Sequence, residues 1–508
     1  MIRLGTLLVL LLVGHATVGA TSANAEQTLD AGRMVAVYTE ALSFMAPRIL
    51  EPVPISQLTV WGLQGLGAID PGVTVAARDG NLLLTRHGAQ LPDIVLPTDE
   101  AAPTWASAAA TATNALYPMS PPLRRAGTQA IIQAFFDELF SHLDPYSRYV
   151  PPTEANEDQA VRRGRAGIGV TLERRGRAIT VAGVVRDSPA AIAGIQPGDV
   201  ILAIDGQRTI NQDPITIGSM LAGKTGTAVT VTTRGRDGRV RDNPMIRAMV
   251  PPETVFAERS SDVLVLRITG FSQTTASHIA LSVQDAMAET HPVSGIVLDL
   301  RGNHGGLLRQ AVTAADTFLP EGVILTTAGR DPEAAHIWRS AEGELAENVP
   351  LIVLVDGGTA SAAEVLAAAL ADRGRAVVVG SSTVGKGLVQ TIDPLPDGGE
   401  LFVTWSRILA PRGWPLQGLG VLPQVCTSVG PELLNRQLVL LSEGVQPMAA
   451  AIKASRAARA PLTPERELAL RAACPAAEGR AGDLQTARRL IGDPAAYAAA
   501  LLPPMVER

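Results

Sequence analysis

Between residues 251 and 430, β-rich runs alternate with longer stretches of helical spacing, and no other feature of the sequence limits the fold as strongly. The pattern predicts strands at Val263–Ile268, Ser294–Leu300, Leu351–Val355 and Ala376–Val379. It predicts helices at Thr275–Glu289, Leu307–Phe318 and Ala362–Ala371. Alternation of this kind is typical of a layered α/β domain, in which helices pack on a sheet.

The flanking regions follow other patterns and divide the chain further. Residues 26–160 combine helical spacing, strongest at 129–143, with a hairpin turn at Asp79-Gly80-Asn81. Residues 163–250 are dense in short β-rich runs and in glycine and proline turns. We therefore predict an α+β multidomain chain, made of a mostly helical cap over 26–160, a β-rich domain over 163–250, the α/β domain over 251–430 and a helical tail over 431–508.

Length and charge exclude one broad class of function. The chain has 508 residues, of which 46% are apolar and 18% are charged, and its net charge is −6. Such a length is ample for several buried cores. The acidic balance argues against a nucleic-acid partner, because nucleic-acid binding calls for a basic surface.

The first 25 residues have the form of a signal peptide. Arg3 supplies the positive start, residues 4–13 are a short apolar run, and residues 23–25 (ANA) have the small-x-small form of a cleavage site. We expect a mature chain that starts at Glu26 and is periplasmic or secreted; an uncleaved membrane anchor is the alternative. No later segment is long and apolar enough to cross a membrane.

Export bears on the two cysteines of the chain, Cys426 and Cys474. In an oxidising compartment a pair of cysteines is more often bridged than free. We therefore predict a disulfide between them, with two separate buried thiols as the alternative.

A run of small residues at 356–363 (DGGTASAA) leads from a predicted strand into a predicted helix. It places Ser361 at a helix N-terminus, where free backbone N–H groups and the helix dipole favour negative charge. A serine that attacks a carbonyl needs such donors for the oxyanion that forms. Serine is also a favoured helix cap, so this segment alone leaves a purely structural role open.

Two more glycine-flanked segments follow predicted strands. Lys386 lies between two glycines, and a lysine that burial keeps neutral can accept a serine's proton, with Gln390 orienting it. A surface lysine in a glycine turn is the alternative. The segment 302–306 (GNHGG) could present a second N–H group to an oxyanion, or could simply turn the chain.

In this order and spacing, the three segments resemble those of the C-terminal processing peptidases, also called tail-specific proteases. Residues 359–364 (TASAAE) match the family's nucleophile segment, and Lys386 and Gln390 match its lysine and glutamine. The resemblance implies that Ser361 is the nucleophile, Lys386 the base and Gln390 the partner of the lysine. It implies a crotonase- or ClpP-like α/β catalytic core, without cofactor or metal. The implied oxyanion hole consists of the backbone N–H groups of Ala362 and Gly305, with Gly306 as the alternative to Gly305.

Residues 163–250 resemble a PDZ domain inserted before the catalytic core. The residues that match its carboxylate-binding loop are Gly167, Ile168, Gly169 and Val170. Glycines let consecutive N–H groups face a terminal carboxylate, and the peptide then adds as a strand along 170–173. The implied partners are proteins or peptides bound by their C-termini, while a homo-oligomer or an adaptor stays open.

Rival functions fit the sequence less well. Residues 218–225 match a phosphate-binding loop letter for letter, but a helix is predicted before them and a strand after them, the reverse of what that loop needs. His304 has no Gly-x-Ser-x-Gly elbow to complete a Ser-His-Asp site, and the seven histidines lack metal-ligand spacing. A catalytically inactive PDZ-type scaffold would lose Ser361 or Lys386, and both are present. The predicted function is a serine endopeptidase that binds protein C-termini; its natural substrate stays open.

Overall fold

The computed structural model describes residues 28–341 and 343–504, so the predicted signal peptide lies outside the described residues. The chain divides into two compact units. The first contains residues 28–39 and 55–142, and the second contains residues 40–54 and 143–504. Within the described ranges, no helix has the length and apolar character that crossing a membrane requires.

Helices and a small antiparallel sheet form the first unit. Its helices, of which the first runs on into the second unit, are Ala31–Arg48, Ile55–Gln64, Leu66–Ile69, Ala102–Leu116 and Pro121–Ser141. Its strands are Val73–Arg78, Asn81–Arg86, Ala89–Gln90 and Ile94–Val95. The predicted hairpin is confirmed, because Arg78 pairs with Asn81 across the turn. The helix predicted at 129–143 begins earlier, at Pro121, and Gly127 interrupts its geometry with a φ of 73°.

A six-stranded antiparallel sheet and two short helices build the β-rich region. In spatial order its strands are Val240–Ile246, Ala228–Arg234, Val200–Ile204, Ala178–Val184 and Val170–Arg175, with Gln207–Arg208 paired to Val200–Ile204. The helices are Pro189–Ile192 and Pro214–Leu221. Arg165–Gly167 pairs with Ala248–Val250, and the helix Pro152–Arg163 precedes this pair. Among the strands of residues 28–341 and 343–504, Val170–Arg175 pairs on one side only, so it is an edge strand whose other side can accept a further strand.

The α/β region contains two sheets. The main sheet runs in the order Val255–Ser260, Val263–Ile268, Gly295–Asp299, Leu351–Val355, Val377–Gly380 and Val425–Cys426, and all its pairs but the first are parallel. The second sheet runs in the order His336–Ser340, Gly322–Gly329, Glu400–Leu409 and Leu388–Pro394, with Arg148–Val150 paired to Glu400–Leu409. The helices are Thr275–Ala288, Leu308–Asp316 and Ala362–Asp372. The strands and helices predicted for this region are confirmed, whereas the second sheet was not predicted.

Burial explains why the main sheet is so clear in the sequence. Leu351–Val355 (LIVLV) is buried at every position, as expected for a parallel strand that is covered on both faces. The helix Ala362–Asp372 is buried along its whole length, and its alanines let it pack closely on all sides. We call it the nucleophile helix, after the role that the sequence analysis predicts for Ser361, its N-cap residue.

Helices follow the α/β region in residues 431–504, the segment called the tail below. Its helices are Pro431–Ser442, Ala449–Ala457, Pro464–Arg471, Ala481–Ile491 and Pro494–Ala500. Buried side chains from two of them, Leu438 and Leu490, pack with Val265 and Val297 from one face of the main sheet. The tail thus covers part of the core of the α/β region.

Candidate active site

Three neighbouring parallel strands bring the three glycine-rich segments together. Gly295–Asp299, Leu351–Val355 and Val377–Gly380 lie side by side in the main sheet. The glycine loop (300–307), the nucleophile loop (356–361) and the lysine loop (381–387) follow them, so all three lie at the carboxyl edge of the sheet. In open α/β sheets this edge is where ligands bind.

Ser361 has a strained backbone at the start of the nucleophile helix. Its φ of 56° and ψ of −121° lie in a backbone region that residues other than glycine rarely adopt. Gly305 lies directly against it, because a Cβ atom added to Gly305 would be 2.8 Å from the Ser361 Cβ. The glycine loop therefore approaches the serine as closely as only a glycine permits.

The buried carboxylate of Glu364 joins the nucleophile loop to the lysine loop. Its Oε2 accepts hydrogen bonds from the backbone N–H groups of Ser361, at 2.7 Å, and Lys386, at 2.9 Å. Its Oε1 accepts from Gly385 N–H, at 2.7 Å, and from the Thr383 hydroxyl. Burial raises the pKa of Glu364, and these donors oppose that shift. A single carboxylate thus fixes the backbone of the serine relative to that of the lysine.

Lys386 is half-buried, and its Nζ lies 4.8 Å from the centre of the Tyr146 ring. Burial lowers the pKa of Lys386, and the positive charge of Arg148 lowers it further. The carboxylates of Asp144 and Glu364 act in the opposite direction. The net shift favours the neutral amine, which is the form that can accept a proton.

Gln390 lies on the strand after Lys386 and faces a polar network. Its Nε2 donates to Thr404 Oγ1 at 3.1 Å and to Leu388 O at 3.2 Å. Thr404 Oγ1 in turn donates to Asp144 Oδ1 at 2.7 Å. In the part of the chain that the structure describes, Gln390 and Lys386 share no hydrogen bond, so the link between them runs through Asp144, whose charge acts on the lysine.

Three backbone N–H groups in the segments next to Ser361 are candidate donors to an oxyanion. Ala362 N–H, at the first position of the nucleophile helix, has no hydrogen-bond partner within the described ranges. Gly305 N–H donates to Asn303 Oδ1 at 2.8 Å, within its own loop. For Gly306 N–H, the residues described here provide no acceptor. The glycine loop is tied to the nucleophile loop by Ala360 N–H, which donates to Asn303 O at 2.9 Å.

The tail supports these loops from behind. The guanidinium of Arg471 donates to the carbonyls of Thr383 and Val384, in the lysine loop, at 2.6 and 3.2 Å. Ala477 O accepts from Gly357 N–H at 2.7 Å and from the Ser381 hydroxyl at 2.9 Å. Between these two contacts along the chain, Cys474 forms a disulfide with Cys426, with the Cα atoms 5.7 Å apart.

The loop Gly167, Ile168, Gly169 and Val170 borders a groove of about 600 Å³. The groove is also lined by the edge strand Val170–Arg175 and the helix Pro214–Leu221. The N–H groups of Ile168 and Gly169 have no acceptor among the described residues. Gly169 has a φ of 80°, and a Cβ there would be 2.3 Å from the Ser188 Cβ, so the loop requires glycine at this position.

Several residues of this site were not singled out by sequence reasoning. Glu364 carried a usable signal, since Ser361 and Glu364 have the S-x-x-E spacing of a capping box. Asp144 also carried one, because Asp-Pro-x-Ser favours a turn in which the side chain bonds its own backbone, here Tyr146 N–H at 2.9 Å. Arg471 carried none, because its partners are backbone carbonyls more than 50 residues away.

Comparison with known proteins identifies the same two regions, the α/β region and the β-rich region. The family model described as Peptidase family S41 matches residues 262–427, and the PDZ domain model matches residues 180–235. A carboxy-terminal-processing protease of Bartonella bacilliformis is 34% identical over 301 residues, which cover 58% of this chain and 69% of the relative. The carboxy-terminal processing protease CtpA of Bacillus subtilis is 33% identical over 285 residues, which cover 56% of this chain and 60% of that relative.

Among solved structures, a photosystem II D1 C-terminal processing protease aligns with 75% of this chain and 97% of its own chain, at 24% identity and a TM-score of 0.37. The family assignment depends on the sequence matches, which contain the nucleophile and lysine loops. The Bartonella relative is matched over more than two thirds of its length. This chain belongs to Peptidase family S41, among the carboxy-terminal processing proteases.

Proposed function

We propose that this protein is a serine endopeptidase that binds protein C-termini in its PDZ groove and hydrolyses peptide bonds with Ser361 and Lys386. One observation carries the proposal: a single oxygen of Glu364 accepts from the backbone N–H groups of both residues. The carboxylate therefore keeps the serine next to a lysine whose pKa is lowered by burial. A nucleophile beside a base whose neutral form is favoured by its surroundings is the arrangement that acyl transfer requires.

The proposed reaction has two steps. Neutral Lys386 takes the proton of the Ser361 hydroxyl as the oxygen attacks the scissile carbonyl, and the lysine then returns that proton to the leaving amine. Water attacks the resulting acyl-enzyme in the second step, with Lys386 again as the base. Gln390 is proposed to act on the lysine by fixing Thr404 and Asp144, rather than by moving a proton.

The oxyanion of each step needs two N–H donors, and Ala362 provides one of them at the start of a helix. The glycine loop is proposed to provide the other. Gly306 N–H is available without breaking a hydrogen bond, whereas Gly305 N–H must first leave Asn303 Oδ1. This difference favours Gly306 over Gly305 as the second donor.

Substrates are proposed to enter as protein or peptide C-termini. A terminal carboxylate would accept from the N–H groups of Ile168 and Gly169, and the preceding residues would extend the sheet along Val170–Arg175. The proposed location is periplasmic or secreted, after removal of residues 1–25. The Cys426–Cys474 disulfide supports this location, because such bonds persist in oxidising compartments.

Labelling with a fluorophosphonate, read by intact mass and peptide mapping, tests the proposal. We expect one adduct per chain, on Ser361, and none on the Ser361→Ala variant. Ser277→Ala is a matched control, since Ser277 is an exposed serine in the first turn of another helix. Labelling of another residue, or cleavage by Ser361→Ala at the wild-type rate, would contradict the assignment.

A further inference from the structure

A cavity of about 990 Å³ is lined by residues of the tail and by Pro411 and Arg412 of the α/β region. Arg412 and Arg456, two of the residues that line it, both bond to Asp372, the last residue of the nucleophile helix. The volume is in the range of sites that hold small organic ligands. The proposed peptidase chemistry uses no residue of this cavity.

Positive charge in the cavity exceeds negative charge. Four of its lining residues are cationic, namely Arg412, Lys453, Arg456 and Arg459, and in the described part of the chain none of its lining residues is acidic. The carboxylate of Asp372, which pairs with Arg456, is fully buried and already has hydrogen-bond donors. Its Oδ1 accepts from Arg456 Nε at 2.8 Å, and its Oδ2 accepts from Trp414 Nε1 at 2.7 Å.

Arg456 is the residue whose unpaired donors indicate that a ligand binds here. Its side chain is 6% exposed, and neither Nη1 nor Nη2 has a hydrogen-bond partner among the described residues. Its guanidinium stacks on Trp414, 4.2 Å from the ring centre, which leaves the Nη edge without an acceptor. Burial lowers the pKa of Arg456, as expected for a buried cation that lacks sufficient counter-charge. Buried donors without acceptors are rare in native structures and require an explanation.

Apart from Gln446, the remaining wall of the cavity is apolar and includes Ile452, Leu501 and Leu502. We propose that this cavity binds an amphiphilic anion, in which a carboxylate or phosphate head meets Arg456 and Lys453 and an apolar chain lies along Ile452, Leu501 and Leu502. Arginine pairs with both head groups through two parallel hydrogen bonds, so a carboxylate and a phosphate share the chemistry that this site recognises.

The PDZ groove is a second place where an anion with an apolar chain could bind, so the test must separate the two. Lys453→Glu reverses a charge in the tail cavity, and Ala449→Trp fills it; both residues are exposed, so neither change disturbs a buried contact. Lys224→Glu makes the same charge change on the β-rich domain. Gly218→Trp fills the PDZ groove, where a side chain at 218 meets open space.

The experiment is calorimetric titration of the full chain with octyl phosphate, octanoate, inorganic phosphate and octyl glucoside, each below its micelle concentration. We expect octyl phosphate or octanoate, or both, to bind with one site in the tail cavity, and their relative affinities show which head the site prefers. That binding should weaken by about tenfold or more in Lys453→Glu and in Ala449→Trp. It should persist in Lys224→Glu and in Gly218→Trp.

Three results would overturn the proposal. Octyl glucoside binding as tightly as the anions would show that charge has no role. Inorganic phosphate binding as tightly as octyl phosphate would show that the apolar wall has none. Loss of binding in Gly218→Trp, with Lys453→Glu unchanged, would place the ligand in the PDZ groove. The proposed peptidase activity is not measured in this experiment, so either proposal can fail without the other.

Discussion

The backbone N–H of Ser361 donates a 2.7 Å hydrogen bond to the Oε2 atom of Glu364. The same oxygen binds Lys386 N–H, and the other oxygen binds two more donors of the lysine loop. Glu364 is fully buried, so all four donors would remain without acceptors if the carboxylate were lost. The carboxylate is therefore expected to set the geometry of the catalytic pair without taking part in the chemistry.

Glu364→Gln tests this role. In either orientation the amide nitrogen would face two N–H or O–H donors, so two buried donors would lose their acceptor. We expect the free energy of unfolding to fall by about 2 kcal/mol or more and kcat to fall as well. Denaturant unfolding and peptide turnover measure the two effects. Thr383→Val is the control, because it removes one donor to Glu364 and the acceptor of Val421 N–H but keeps the hydrogen bonds to Ser361 and Lys386. An equal loss of kcat in the control would contradict a special role for the bridge.

Substitution of Ser361 separates chemistry from backbone strain. Both Ser361→Ala and Ser361→Gly should abolish cleavage, since each removes the hydroxyl. At a φ of 56° glycine is relaxed and alanine is strained, so the glycine variant should be more stable than the alanine variant by about 1 kcal/mol. Thermal or denaturant unfolding of the two variants gives the comparison. An alanine variant of equal or greater stability would show that the serine's backbone is not strained.

The four central strands of the main sheet were predictable because each is a self-contained apolar run. Leu351–Val355 owes its conformation to local composition and burial, and its neighbours differ little from it. The second sheet was missed for the opposite reason. Polar residues interrupt the apolar ones in both Leu388–Pro394 and Glu400–Leu409, so neither is a continuous apolar run. Glu400 also pairs with Val150, 250 residues earlier in the chain, which no local pattern encodes.

The residues of the candidate site also fall into two groups, those that the sequence predicts and those that it does not. Ser361, Lys386 and Gln390 belong to short motifs, so a resemblance was enough to propose them. The supporting groups depend on contacts between distant loops. Arg471, from the tail, contacts the lysine loop only after the chain has folded. Asn303 Oδ1 accepts from Gly305 N–H only in a side-chain rotamer that the sequence does not determine.

Binding at the PDZ groove should depend on the free carboxylate of the ligand. Amidation of a peptide's C-terminus removes the charge that the N–H groups of Ile168 and Gly169 would meet, so we expect affinity to fall by about tenfold or more. Fluorescence anisotropy with the Ser361→Ala chain measures binding without cleavage. Equal affinities for the acid and the amide would exclude this role for the loop.

The disulfide should stabilise both the fold and the active-site loops. Cys426 and Cys474 are 48 residues apart, and closing a loop of that length stabilises the folded state by about 4 kcal/mol. The double variant Cys426→Ser/Cys474→Ser should unfold at lower denaturant concentration and lose kcat, because Arg471 and Ala477 then hold the loops less firmly. Reductant should destabilise the wild type and leave the double variant unchanged. Two free thiols in a non-reducing peptide map of exported protein would contradict the prediction.

The pH dependence of cleavage tests the role of Lys386. The neutral amine is the proposed base, so activity should rise with pH through the pKa of Lys386, which burial places below the ordinary 10.5. Lys386→Arg should be inactive, because a guanidinium stays protonated. His304→Ala should keep its activity, because His304 is exposed and has no role in the proposed chemistry. An active Lys386→Arg variant would exclude the lysine as base, and an inactive but folded His304→Ala variant would move the base to the histidine.

The neighbours of Lys386 allow a sharper test, because their charges have opposite signs. Arg148 lowers the pKa of the lysine, so Arg148→Gln should raise it and move the rate profile to higher pH. Asp144 raises that pKa, so Asp144→Asn should lower it and move the profile to lower pH. A general loosening of the site would move both profiles in the same direction or leave their midpoints in place. Opposite displacements in the two variants would therefore identify Lys386 as the titrating group, and displacement in a common direction would show that another group controls the rate.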